Sequence, residues 1–168
     1  MLQIYTGNGK GKTTAAIGLA IRFLGHKKKV CLIQFMKKNF SYGEIKFLEQ
    51  TENIDIFQFG TPDLIDKKNP KEIDFQEADK GITKAREVLL SAKYDLVILD
   101  ELNVALYFDL LDLRKVLPII KKNKNTELVI TGRYACQELI ELADLVTEMK
   151  EIKHYYTNGV KAIQGREF

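Results

Sequence analysis

The stretch Gly7-Asn8-Gly9-Lys10-Gly11-Lys12-Thr13-Thr14 lies between a short apolar run, Leu2–Tyr5, and a segment with helical spacing, Lys12–Leu24. Small residues at a strand-to-helix turn let several backbone N–H groups converge on an anion, and the helix N-terminus favours negative charge. In such loops a lysine reaches the anion's oxygens and a hydroxyl holds Mg²⁺. The stretch therefore predicts a binding site for the triphosphate of a nucleotide.

Within this loop, Lys12 is the predicted cation, Thr13 the metal-side hydroxyl and Lys10 a second cation. The spacing departs from G-x-x-x-x-G-K-[ST], because Thr6 stands at the first glycine position and Gly9 is additional. A glycine-rich turn without a ligand is the alternative. The predicted ATP-binding residues are Thr6, Gly7, Asn8, Gly9, Lys10, Gly11, Lys12, Thr13 and Thr14, with Arg22, late on the helix, as a weaker candidate for phosphate or ribose.

Short apolar runs alternate with helix-period segments, which predicts an α/β fold with a mainly parallel six-stranded sheet and helices on both faces. Helices are expected over Phe75–Ala92 and from Asp112 to Lys122, whereas Gly60–Asp74 is the best candidate for a mobile loop. The six predicted strands are Leu2–Tyr5, Val30–Phe35, Ile54–Phe59, Leu96–Leu99, Glu127–Ile130 and Leu145–Met149.

Two acids, Asp100 and Glu101, follow the apolar run Leu96–Leu99. Strand ends at the carboxyl edge of a parallel sheet meet the same crevice as the loop after the first strand, so both acids are candidate ligands of Mg²⁺, directly or through water. The alternative is an ordinary helix start. Arg133 follows another predicted strand and is a candidate phosphate clamp, the alternative being a surface turn.

Composition indicates one soluble domain over residues 1–168, with 45% hydrophobic and 29% charged residues. No apolar run is long enough for a membrane span, and no secretory signal pattern opens the chain, which predicts a cytoplasmic protein. The net charge of +3 is weak and dispersed, so nucleic acid is not an expected partner. The two cysteines, Cys31 and Cys136, are expected to be reduced.

The loop, together with several later motifs, resembles the ATP:corrinoid adenosyltransferase family, which has a RecA-like P-loop fold. The resemblance covers almost the whole chain and rests on the run Tyr5–Ala16 and on Gln34-Phe35, Tyr42-Gly43-Glu44, Leu99-Asp100-Glu101, Thr131-Gly132-Arg133, Leu142-Ala143-Asp144, Lys153-His154 and Gly159-Val160-Lys161-Ala162.

This resemblance implies transfer of the 5′-deoxyadenosyl group of ATP to the Co(I) centre of a reduced corrinoid, with triphosphate as the leaving group. It implies catalytic roles for Lys12, Glu101 and Arg133, and a Mg²⁺ held by Thr13, Asp100 and Glu101. Cobalamin and an a,c-diamide precursor are both possible acceptors. A homodimer is expected, and an electron donor protein or reduced flavin would generate Co(I). The altered glycine pattern is interpreted as holding triphosphate as a leaving group.

Other features are assigned less specific roles. The loop after Gly60, which in relatives tends to continue with Arg or aromatic residues near the corrin, reads Thr61-Pro62-Asp63-Leu64-Ile65 here. His154 is not assigned as a cobalt ligand, because a single histidine near a chain end is more often structural or solvated. Tyr107-Phe108 is expected to pack in the core, and Tyr155-Tyr156 to form a short terminal strand.

The residues alone leave three other classes of protein open. A RecA-like ATPase module would use Glu101 to activate water and would act on a protein or nucleic-acid partner. A small-molecule kinase would yield ADP and a phosphorylated acceptor. A non-catalytic nucleotide-binding protein would show no turnover.

Overall fold

A computed structural model describes residues 1–38 and 42–167, in which six strands form one parallel sheet of order β3-β2-β4-β5-β1-β6. The predicted α/β class and parallel sheet are confirmed, and the predicted strand bounds agree to within one residue. The strands are β1 Leu2–Thr6, β2 Val30–Phe35, β3 Ile54–Phe59, β4 Leu96–Asp100, β5 Glu127–Thr131 and β6 Leu145–Glu148.

In the described part of the chain, six α-helices connect or follow these strands: α1 Lys12–Gly25, α2 Gly43–Leu48, α3 Glu72–Ser91, α4 Leu102–Tyr107, α5 Leu113–Lys122 and α6 Gln137–Leu142. Asp112 caps α5 as predicted, because its side chain accepts a hydrogen bond from the Arg114 N–H. α3 begins three residues before the predicted Phe75. There the Asp74 carboxylate accepts from the Lys71 N–H at 2.8 Å, so the chain turns into the helix earlier.

The prediction of a terminal strand at Tyr155-Tyr156 is wrong. Residues Tyr155–Asn158 form a 3₁₀ helix that ends at Gly159, whose φ is +78°. His154 starts this turn, since its Nδ1 accepts from the Tyr156 N–H at 3.1 Å. A side chain that satisfies a nearby backbone donor favours a turn over a strand ladder.

The core lies on both faces of the sheet. In β2, Cys31 and Ile33 face the cluster that contains α3, α5 and α6, whereas Val30 and Leu32 face the cluster that contains α1 and α2. This period-two alternation with apolar residues on both faces is typical of a central parallel strand. The two clusters confirm the predicted helices on both faces. Among residues 1–38 and 42–167, none of the helices has the length and apolar character that a membrane crossing needs.

Candidate functional site

The carboxyl ends of four neighbouring strands, β2, β4, β5 and β1, form the candidate site. β1 leads at Thr6 into the phosphate loop, defined here as residues 6–13, and α1 begins at Lys12 after Gly11. Gly11 has a φ of +116°, a conformation that residues with a side chain rarely adopt. β4 ends at Asp100 and β5 at Thr131, so their side chains face the same edge of the sheet.

Lys12 folds back into the phosphate loop. Its Nζ donates to the carbonyl oxygens of Gly7 at 2.8 Å and Gly9 at 2.7 Å, and the residue is 8% exposed. Burial, reinforced by the charge of Arg133, lowers the pKa of Lys12, while Glu101 opposes that shift. The ammonium group therefore lies inside the loop, where the oxygens of an anion can replace the carbonyl oxygens as partners.

The segment that follows β6 braces the phosphate loop from outside. The Gly9 N–H donates to the Met149 carbonyl at 2.6 Å, and the Met149 N–H donates to the Thr6 carbonyl at 2.8 Å. A Cβ added at Gly7 would lie 2.5 Å from the Met149 oxygen, and one at Gly9 would lie 2.7 Å from it. The unusual Gly9 thus has a structural reason that the loop's sequence does not reveal: the backbone of Met149 needs the space.

Asp100 lies fully buried beneath the loop and accepts four hydrogen bonds. Oδ1 accepts from the hydroxyls of Thr13 at 2.8 Å and Thr131 at 2.6 Å, and Oδ2 accepts from Gln34 at 3.0 Å and Lys37 at 2.9 Å. Burial raises the pKa of Asp100, but the charge of Lys37 and these hydrogen bonds outweigh it and hold the pKa below its usual range. Asp100 is therefore an ionised carboxylate whose oxygens are already occupied.

Glu101 shows the opposite behaviour. Burial, followed by the charge of the adjacent Asp100, raises the pKa of Glu101. Its backbone N–H donates to the Thr131 hydroxyl at 3.0 Å, and its φ of +63° turns the chain sharply from β4 into α4. The carboxyl group faces the cavity that the phosphate loop lines.

The oxygen ligands around Thr13 fit a magnesium ion. Because Thr13 donates its hydroxyl proton to Asp100, the lone pairs of its oxygen remain available to a cation. Within the described ranges, which omit residues 39–41 and 168, no group of three or more His, Cys, Asp or Glu side chains could hold a metal. Mg²⁺ in nucleotide sites usually binds through one or two protein oxygens plus substrate phosphates and water. Thr13 and Glu101 are the candidate direct ligands, and Asp100 orients Thr13.

One cavity of about 990 Å³ brings most of the predicted residues together. The three predicted cations, Lys10, Lys12 and Arg133, line it together with Glu101, and Lys37, Lys67 and Arg166 line it as well. Gly9, Gly11, Thr13 and Thr14 also line it. Thr6, Gly7 and Asn8 form the first part of the phosphate loop, where the Thr6 hydroxyl accepts from the Ala135 N–H at 3.3 Å. Arg22 lies in the last turn of α1, roughly 15 Å along the helix axis from Lys12.

The C-terminal tail, defined here as residues 150–167, covers one side of the phosphate loop. Lys10 Nζ donates to the Tyr155 hydroxyl at 2.7 Å, to the Glu167 carboxylate at 2.8 Å and to the Arg166 carbonyl. Hydrogen bonds from Lys10 and Tyr155 lower the pKa of Glu167 to about 2. His154 and Tyr155 also line the cavity. The tail thus holds Lys10, a predicted phosphate-binding residue.

Sequence reasoning missed several residues of the cavity wall, among them Lys37 and Tyr107. Lys37 comes two residues after the end of the buried strand β2. This position at the carboxyl edge of the sheet could have identified it as a site residue from sequence. The expectation that Tyr107-Phe108 packs in the core is correct for Phe108, which packs against the core, and wrong for Tyr107. Tyr107 is 42% exposed and lines the cavity, because α4 is only six residues long and ends at its mouth.

Comparisons with known proteins agree on one family. A family model described as ATP:corrinoid adenosyltransferase BtuR/CobO/CobP matches residues 1–168. A corrinoid adenosyltransferase of Sinorhizobium sp. is 38% identical over 172 residues, covering 100% of this chain and 80% of that protein. Corrinoid adenosyltransferases of Escherichia coli K12 and Pseudomonas aeruginosa are 36% and 37% identical, with 100% of this chain and 85% and 83% of those proteins covered.

Proposed function

Since the chain belongs to the ATP:corrinoid adenosyltransferase family, we propose that its cavity binds ATP by the phosphate loop and presents the adenosyl group to a corrinoid. The reaction is transfer of the adenosyl group of ATP to the corrinoid, in cobalamin biosynthesis. The observation that carries the assignment of the site is the position of Lys12, whose ammonium group lies inside a glycine-rich loop that lines the cavity of about 990 Å³. That volume is at the upper end of the usual range for small-molecule sites, which suits two substrates.

The chain's own contribution is charge and position. In the proposed step, the electron pair of Co(I) forms a bond to the C5′ carbon of ATP, and the C5′–O bond breaks with its electrons passing to the triphosphate. Lys10, Lys12 and Arg133 all line the cavity and would stabilise the negative charge that grows on the departing group. No protein nucleophile is needed, because the corrinoid brings the reactive centre.

Magnesium, when bound, would neutralise phosphate oxygens of the leaving group. Thr13 and Glu101 would hold it, and Asp100 keeps the Thr13 hydroxyl in one orientation through the hydrogen bond of 2.8 Å. Burial and the adjacent Asp100 raise the pKa of Glu101 although Lys37, Lys12 and Arg133 oppose the shift, and a bound metal would further favour the ionised carboxylate.

The family resemblance adds three statements to the proposal, on the oligomeric state and location, on the source of Co(I) and on the role of the phosphate loop. The protein is a cytoplasmic homodimer, Co(I) comes from an electron donor protein or reduced flavin, and the phosphate loop holds the whole triphosphate as a leaving group. A nucleotide-bound structure with the γ-phosphate facing an open acceptor site would contradict the last point.

The test is incubation of the protein with ATP, Mg²⁺ and chemically reduced corrinoid, followed by the corrinoid spectrum and by analysis of the phosphate product. Adenosylation gives a light-sensitive cobalt–carbon product and triphosphate. Lys12→Met is expected to lower the rate strongly, whereas Lys124→Met, at an exposed position far along the chain, is the matched control. Release of ADP or inorganic phosphate with an unchanged corrinoid spectrum would favour a kinase or an ATPase instead.

A further inference from the structure

Two tyrosines stack at the wall of the cavity, outside the phosphate loop. The ring centroids of Tyr107 and Tyr134 are 4.0 Å apart with an interplanar angle of 28°, and the residues are 42% and 48% exposed. Both residues line the cavity. Exposed aromatic rings at a cavity wall are unusual for a structural role, because burial of the rings is what normally makes aromatic residues stabilising.

A lysine fixes this pair from a third segment of the chain. Lys67 Nζ lies 3.2 Å from the centroid of the Tyr107 ring. Since Tyr134 stacks on one face of Tyr107, Lys67 occupies the other face. The rings are therefore ordered as Lys67, Tyr107, Tyr134, and the second face of Tyr134 is left for a ligand in the cavity.

The backbone at Tyr134 is held in a conformation that costs free energy. Its φ is +62°, which a residue with a bulky side chain rarely adopts, and it follows Gly132 with a φ of +126°. Such a conformation costs on the order of 1–3 kcal/mol and persists where surrounding structure enforces it, commonly at binding sites. A glycine would adopt this turn without strain, so the tyrosine ring is retained despite its cost.

The position of the stack favours the acceptor over the nucleotide. Tyr107 ends α4, which starts directly after Glu101, so it lies about 9 Å along the helix axis from the proposed metal ligand. In the proposed function, Lys10, Lys12 and Thr13 hold the triphosphate on the phosphate-loop side of the cavity. The acceptor must approach the adenosyl group from the side opposite the departing triphosphate, and the two rings belong to a wall that the phosphate loop does not form.

The size of the ligand also favours the corrinoid. A conjugated macrocycle is much wider than a purine, so it can contact the free face of Tyr134 and the neighbouring cavity wall together, and the cavity of about 990 Å³ has room for it beside the nucleotide. Lys67 lies behind Tyr107, on the side away from that free face, and holds the stack in place.

We propose that the Tyr107–Tyr134 stack is the corrinoid-binding wall of this cavity, with the macrocycle on the free face of Tyr134 and Lys67 holding Tyr107 from behind. The proposal rests on the proposed function for the identity of the acceptor. It assigns the two tyrosines to acceptor binding and leaves the ATP phosphates to the phosphate loop.

Direct binding measurements on the full chain test this without turnover. Tyr134→Gly removes the ring and relieves the backbone, so the variant is expected to keep or raise its melting temperature. Its dissociation constant for a Co(II) corrinoid, measured by absorbance titration with cobalamin and with cobyrinic acid a,c-diamide, is expected to rise about 3- to 10-fold. The dissociation constant for ATP, measured by calorimetry, should stay within about twofold. Tyr134→Phe is the matched control, since it keeps the ring and should bind corrinoid like the wild type.

Three outcomes would overturn the proposal. Weaker ATP binding with unchanged corrinoid binding would make the stack an adenine platform. Unchanged binding of both ligands would leave the stack a purely structural anchor for Lys67. Wild-type protein that binds neither corrinoid would exclude the acceptor class. Binding of corrinoid without adenosyl transfer would instead refute the proposed function and leave the assignment of the wall standing.

Discussion

Substitution of Gly9 by alanine tests whether the phosphate loop needs its close contact with the segment after β6. The added Cβ would lie 2.7 Å from the Met149 carbonyl oxygen and 3.0 Å from the Lys150 carbonyl carbon. Both neighbours are backbone atoms, so a side-chain rotation cannot relieve the contact. An ordinary contact of about 3.4 Å requires the two backbones to separate by roughly 0.7 Å, since overpacked sites relax by such shifts.

This separation has consequences for both stability and rate. It stretches the hydrogen bond from the Gly9 N–H to Met149, now 2.6 Å, and moves the carbonyl that holds Lys12. Overpacking typically costs about 1–3 kcal/mol. For a chain of this size, that lowers the melting temperature by roughly 2–10 °C. A misplacement approaching 1 Å in a positioning element is expected to reduce adenosyl transfer by about 10- to 100-fold.

The assay compares Gly9→Ala with Gly18→Ala by thermal denaturation, ATP calorimetry and corrinoid adenosylation. Gly18 lies on α1, exposed, and an added Cβ there meets no described heavy atom within 4 Å. Alanine in a helix is favoured over glycine by about 1 kcal/mol, so this control should be equally or more stable and fully active. Wild-type ATP affinity, rate and stability in Gly9→Ala would refute the close-packing account of the loop.

Two further predictions concern the tail and the core. Glu167→Gln should release the tail, which would be seen as lost hydrogen-exchange protection of the Ile163 N–H, the donor of a 2.7 Å hydrogen bond to Glu167. In the wild type, the pKa of Glu167 is lowered to about 2, so docking of the tail is fully favoured above a pH near 4.5 and weakens as the pH falls from there towards 2. Equal protection in both proteins at pH 7 would contradict this prediction. Leu99→Ala, at a fully buried position in β4, should lower the free energy of unfolding by about 2–5 kcal/mol in urea denaturation. The control Leu90→Ala, at a position that is 63% exposed, should change the free energy of unfolding by less than about 0.5 kcal/mol. Similar losses in both variants would contradict the assigned core.

The strands and the longest helices were predictable because their signals are local. The run Val30–Phe35 is apolar at five of its six positions, as the two buried faces of a central strand require, so its bounds follow from composition. The three six-residue helices α2, α4 and α6 were not predicted. A helix of that length completes fewer than two turns, so its apolar period cannot be distinguished from a loop.

The candidate site was predictable only where a motif carries it. Lys12, Thr13 and Asp100 occupy positions that the loop spacing and strand ends define. The roles of Lys37 and Tyr134 depend on distant partners, Asp100 and Tyr107 respectively, that only the folded chain brings together. The contact between Gly9 and Met149 was not predictable for the same reason, because the two residues lie 140 positions apart in sequence.

The place of β1 in the sheet also bears on when the nucleotide site can form during synthesis. β1 lies between β5 and β6, and Gln3 pairs with Val129 on one side and Leu145 on the other. The strand that leads into the phosphate loop therefore has no sheet partner until most of the chain has left the ribosome. Contacts of such long sequence separation fold slowly and leave apolar edges exposed meanwhile. The phosphate loop can therefore reach its final form only after β5 and β6 have been synthesised, and production of this protein should benefit from low temperature and slow translation.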